Sequence, residues 1–184
     1  GYRAVLGAYA NLAWVTATGA ASGTVVQDDD PAHYLGVMTP PPPAVGVRLE
    51  KAVNAANPLA PTAYEDADFT TGPILTVGST VVWTYQVINT GSTAFAVATL
   101  RDDAGTPALS TDDFTPAAVL SIGTLFNVGD LDRDNLVDAN EVWRYRASGT
   151  VAAGQYVNTG VVTVSDPASV ATASTAVSRF VVSA

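Results

Sequence analysis

The chain has no cysteine, one histidine and only eight lysines and arginines in 184 residues. Without cysteine the fold cannot lean on disulfides, so packing and any bound metal must carry its stability. Against the eight basic residues stand 17 acids, a formal net charge of −9. Nucleic-acid binding needs a basic surface and is excluded as an expectation, and attachment to anionic membranes is disfavoured with it. No run of about 18 apolar residues exists, so membrane insertion by a helix is not expected. A basic stretch followed by an apolar one is also missing at the start, which leaves any secretory signal outside these residues or already removed. Helical periodicity is lacking as well. Catalysis has little to work with: His33 lies in a Pro-Ala-His-Tyr segment and no nucleophile elbow is present, so the expectation is a non-enzyme. Paired carboxylates such as Asp112 and Asp113 suit metal better than glycoside hydrolysis in such a setting.

What is present is a β-rich, weakly charged composition, 48% hydrophobic and 14% charged, of the kind found in extracellular proteins. The acids cluster. Fifteen of the 17 fall in Asp28 to Asp30, in Glu65, Asp66 and Asp68, in Asp102 and Asp103, in Asp112 and Asp113, and in one loop from Asp130 to Glu141. That loop, Asp130-Leu-Asp-Arg-Asp-Asn-Leu-Val-Asp-Ala-Asn-Glu141, places Asp130, Asp132, Asp134, Asp138 and Glu141 at positions 1, 3, 5, 9 and 12. A calcium ion takes six to eight oxygens, and this spacing supplies them, with the Leu136 carbonyl at position 7. Position 6, normally Gly, is Asn135, which tolerates a left-handed backbone better than most residues. Five carboxylates this close repel one another unless a cation sits among them, so the loop is a calcium-site candidate. Glu65, Asp66, Asp68, Asp102, Asp103, Asp112 and Asp113 are candidates for further calcium sites. After Glu141, Trp143, Tyr145 and Ala147 alternate with Val142, Arg144 and Arg146, a strand rather than the helix of an EF-hand.

Strands are expected over 8–18, 24–27, 45–53, 80–88, 94–100, 119–120, 143–147, 156–164 and 175–182. In the clearest of these, Val81, Trp83, Tyr85 and Val87 share one face. Trp83 and Trp143 read as core; the weighed alternative for these and Trp14 is a flat carbohydrate platform. Seven or more short strands without helical period predict an all-β, two-sheet sandwich over 45–184. The first 37 residues repeat the last 37: a shift of 147 places Gly7 on Gly154, Tyr9 on Tyr156, Asn11 on Asn158, Val15 on Val162 and Thr16 on Thr163. Residues 1–37 are therefore the closing strands of a repeat whose beginning they lack, and 38–44, with four prolines, is an extended linker. Two strands cannot stand alone in water, so the segment is expected to add to another molecule's sheet, with Tyr9, Leu12, Trp14 and Val15 filling grooves.

The strand Thr80-Val-Val-Trp-Thr-Tyr-Gln-Val-Ile-Asn-Thr-Gly91, the acidic loop ending in Glu141-Val-Trp-Arg-Tyr145, and Gly154-Gln-Tyr-Val-Asn-Thr-Gly160 together resemble the immunoglobulin-like conserved repeat domain of bacterial and archaeal cell-surface proteins. Asp30-Pro-Ala-His-Tyr34 matches the segment that ends such repeats, whereas 174–184 departs from it, as a terminal repeat would. The resemblance implies an immunoglobulin-like β-sandwich, secreted or surface-displayed, with structural or adhesive work. The sequence thus leads to a calcium-stabilised structural subunit of an extracellular filament or surface assembly, its partners other copies of itself joined head to tail by donor strands. The alternative is an adhesin or carbohydrate-binding repeat of a larger cell-surface protein, engaging cell-surface glycans or proteins.

Overall fold

The structure is a computed structural model and describes residues 5–37, 44–68, 72–154, 156–166 and 171–183. The chain is all-β, with one helical turn among the described residues. It divides into two compact units, 1–42 and 43–184. Apart from Ala44, the expected linker 38–44 lies outside the described residues.

The first unit is a two-stranded antiparallel ribbon of β1 (Gly7–Thr18) and β2 (Val25–Gly36). The second strand is three times the expected 24–27, because it continues through Asp28 to Tyr34. Pro31 is tolerated there because a ribbon of two strands has a free edge on each. Tyr9 stacks on Tyr34 across the pair, centroids 4.9 Å apart. Every residue from Ala8 to Leu35 is exposed on both faces, Trp14 by 73% and Leu35 by 70%.

The second unit holds two four-stranded sheets. One runs β3 (Val47–Val53), β5 (Thr80–Asn89), β8 (Val142–Thr150), β7 (Ala117–Ala118); the other runs β4 (Ile74–Thr76), β10 (Ala171–Ser183), β9 (Tyr156–Ser165), β6 (Ala96–Asp102). All neighbours are antiparallel except β10 with β4. The chain crosses between sheets after β3, β4, β5, β6 and β8, so the two layers are tied repeatedly. Their inner faces share one core. Val81, Trp83, Tyr85 and Val87 are all buried, as their period of two predicts, with Trp143 and Tyr145 beside them, facing Leu100, Val162, Val164 and Phe180. Trp83 packs near Tyr156 and Phe114, and Tyr156 stacks on Phe180 at 4.7 Å. Burial of Trp83 and Trp143 removes both from any sugar-binding platform.

The single turn α1 (Ala63–Asp66) is held by its first acids rather than by a buried face. Thr62 caps it, and Glu65 reaches back to the Thr62 N–H in a capping box.

Candidate metal centre

The acidic loop leaves sheet edge β7 and enters β8, and it is pinned to the core at both ends and in the middle. Gly129 precedes it where only glycine fits: a side-chain carbon there would lie 1.9 Å from the Val142 carbonyl. The buried Asn127 side chain accepts from the N–H groups of Gly129 and Arg144 and donates to the Arg144 carbonyl, fixing the entry against β8. Val137 is fully buried and bridges to Phe95, and Asn89 donates to the Val137 carbonyl. At the exit, the Trp143 indole N–H donates to Glu141. The geometry of the loop and the packing of the core are therefore coupled through Val137 and Trp143. Sequence spacing gave no sign of Asn127 or Asn89 as supports.

Within the loop the acids converge. One oxygen from each of Asp130, Asp132 and Asp134 lies within 4.8 Å of the others, and so does one from each of Asp132, Asp138 and Glu141. Asp132 belongs to both groups and so links the two sets of carboxylates. Asn135 does take the left-handed backbone, φ 64°, that position 6 demands, and Arg133 (φ 68°) and Asn140 (φ 77°) do the same. The backbone organises the carboxylates: Asp130 accepts from the N–H groups of Arg133 and Asn135, Asp134 from Leu136, and Glu141 from Leu131 and Asp138. Asp130 and Glu141 are buried. Burial first, then Asp134, Asp132, Glu141 and Asp130, push the Asp138 carboxyl above the usual carboxylate range. An all-oxygen set of this charge fits a hard divalent cation of calcium's size. Leu136 occupies position 7, where its carbonyl is the family-independent donor such loops use.

Several of the other acids named as calcium-site candidates bond within the protein. Glu65 caps a helical turn and accepts from Ala56, contacts that hold its carboxyl below the usual range. Asp113 pairs with Arg101 at 2.9 Å, and Asp112 accepts from the Thr106 hydroxyl. Asp103 accepts from the Gly105 and Thr159 N–H groups. Asp66 is raised by burial and then by Asp68 and Glu50. Among the described residues, the acids close enough to share a cation all lie in the 130–141 loop.

Asp102 belongs to a second buried cluster that sequence reasoning missed. Lys51, the one lysine in the chain, has its ammonium 2.6 Å from Asp102 Oδ2, both side chains without solvent exposure. Tyr85 donates to the same oxygen at 2.7 Å, Asn158 donates to Oδ1 at 2.7 Å, and Ser178 donates to the Asn158 carbonyl at 2.9 Å. Burial pushes the Lys51 amine down to about 8 against the pull of Asp102, and burial then Asp102 push the Tyr85 phenol far up. The signal was available: Leu49, Lys51 and Val53 share a strand face, so alternation puts a cation into the core.

The residues named for assembly sit on the ribbon, but on two faces. Tyr9 and Val15 share one; Leu12 and Trp14 share the other. His33 is exposed on β2. The chain matches no protein-family model, no curated protein and no solved structure.

Proposed function

We propose that the chain is a calcium-stabilised, immunoglobulin-like structural module of an extracellular filament or surface assembly, and that ribbon β1–β2 supplies the closing strands of another body of the same kind. One observation carries this reading. β1–β2 reproduces β9–β10, with Tyr9 over Tyr34 where the body has Tyr156 over Phe180, yet the ribbon's equivalents of core residues are exposed. A two-stranded ribbon with apolar side chains on both faces is marginal by itself and marks a contact surface. Strand addition satisfies its edges with main-chain hydrogen bonds. The face that β9–β10 turns inward corresponds to Tyr9, Asn11, Ala13 and Val15, so these enter the partner and Leu12 and Trp14 stay on the outer side. Calcium in the 130–141 loop would hold β8 in register by neutralising five acids. No residue is assigned a catalytic role.

The test is association of the full chain at millimolar calcium, followed by light scattering and electron microscopy. Concentration-dependent head-to-tail oligomers are expected, and Val15→Asp should abolish them while Trp14→Ser weakens them less. A full chain that stays monomeric at high concentration would sink the assembly reading. The ribbon's likeness to β9–β10 would then favour the second reading, a repeat of a longer cell-surface adhesin whose neighbouring repeat the ribbon completes.

A further inference from the structure

The Lys51, Asp102 and Asn158 side chains meet where no solvent reaches. We propose that Lys51 and Asn158 join in an intramolecular isopeptide bond, with Asp102 as the proton relay, so that this cysteine-free fold carries a covalent cross-link between its two sheets. Lys51 lies on β3 in one sheet and Asn158 on β9 in the other. Asp102 brings them together, holding the Lys51 nitrogen on Oδ2 at 2.6 Å and the Asn158 amide nitrogen on Oδ1 at 2.7 Å.

Each group is placed for the step it would perform. Proton transfer along the Lys51–Asp102 contact turns the ammonium–carboxylate pair into an amine and a carboxylic acid, which a site with no solvent exposure favours. The amine lone pair attacks Cγ of Asn158. Negative charge develops on the Asn158 oxygen, which already accepts from the Ser178 hydroxyl at 2.9 Å. Asp102 moves one proton from Nζ to the departing Nδ2, the Cγ–Nδ2 bond breaks, and ammonia leaves. The products are an Nζ–Cγ amide, one ammonia and a neutral Asp102 that keeps the proton the ammonium brought. No oxidant or reductant is consumed. Tyr85, 2.7 Å from Asp102 Oδ2 and buried, donates to the acid throughout. Asn158 and Ser178 have no exposed surface, so water is kept from competing. Holding nucleophile and electrophile on one carboxylate makes the step effectively unimolecular.

The experiment is the intact mass of the full chain, purified after folding in calcium, followed by proteolysis and sequencing of the linked peptides by mass spectrometry. The expected mass is lower than the sequence mass by one ammonia, about 17 Da, as amide formation by an amine nucleophile requires. A peptide pair joining residues 51 and 158 should be found, and a single lysine makes its assignment unambiguous. Lys51→Arg and Asn158→Ala should each return the sequence mass, and Asn11→Ala, the copy on β1, should not. If the variants fail to fold, the wild-type mass and linked peptide decide alone. An unmodified wild-type mass overturns the proposal, and so does loss of one water with Lys51 joined to Asp102.

Discussion

The ribbon β1–β2 and the hairpin β9–β10 are close to the same object in two settings. Tyr9 maps onto Tyr156, 147 residues on, but Tyr34 maps onto Phe180, 146 residues on. The gapless shift of 147 therefore holds for the first strand only, because six residues separate Thr18 from Val25 and five separate Ser165 from Ala171. Side-chain pairing survives the slip, since the aromatic stack is kept to within 0.2 Å (4.9 against 4.7 Å). Burial does not survive the change of setting. Val15 is 61% exposed and its counterpart Val162 is 0%; Tyr34 is 39% exposed and Phe180 is 2%. A strand's sequence determines which residues share a face, and only its partner determines whether that face is a core.

The sharpest way to break the comparison is to place the same charge at both copies. Val162→Asp puts an unpaired carboxylate in the core and should cost roughly 4 kcal/mol or more, a large part of an ordinary domain's stability. Val15→Asp should change the melting of the body by no more than about 0.5 kcal/mol, as surface substitutions do, while removing association. Calorimetry of the full-length variants reads both. Equal losses of stability would erase the contrast.

The second prediction sets the acidic loop against the ribbon's own acidic run. Asp28, Asp29 and Asp30 pair with Val15, Trp14 and Ala13, so successive acids point to opposite faces and do not converge. Chelation should lower stability through the loop alone, by about 2.7 kcal/mol where calcium stood a hundredfold above its dissociation constant, and the melting temperature should fall with it. Asp130→Ala or Glu141→Gln should lower stability in calcium and remove the response to chelator. Asp29→Asn should leave that response intact. A melting temperature unmoved by chelator, starting from millimolar calcium, refutes the calcium assignment.

Much of this architecture was legible in the sequence for a definite reason. Thr80 to Asn89, Gln86 apart, and Val142 to Ala147 alternate, and alternation is a local property of extended backbone. The clustering of the loop's acids was legible because they are local too, all within twelve residues. β2 runs past the expected 24–27 through three acids and Pro31, residue types depleted in strands, because a two-stranded ribbon exposes both edges and both faces and accepts them. The Lys51–Asp102–Asn158 cluster is not legible in the sequence, where Asp102 stands only as a candidate for a further calcium site. Its members are 51 and 56 residues apart, and nothing local says that a cation across the core will claim an acid before a metal does.

The smallest expected effect separates Asn158 from Asn11 by pH. In a chain where Lys51 remains a free amine, its folded pKa, about 8, lies below the ordinary value of 10.5. Between those values the unfolded state holds the proton that the folded state has lost, so stability rises with pH, by on the order of 1 kcal/mol per unit. Asp102, Asp103 and Tyr85 are the ionisable groups acting on the amine. The upper end of the window is set by tyrosines. Tyr85, Tyr145 and Tyr156 are all raised by burial, so they stay neutral in the fold while unfolded tyrosine ionises near pH 10, which lowers stability above that point. Asn158→Ala should therefore gain stability from pH 8 to 10. Wild type and Asn11→Ala should lack that gain, because an amide nitrogen at position 51 does not titrate. A wild-type chain that rises in parallel with Asn158→Ala would show that its lysine is free.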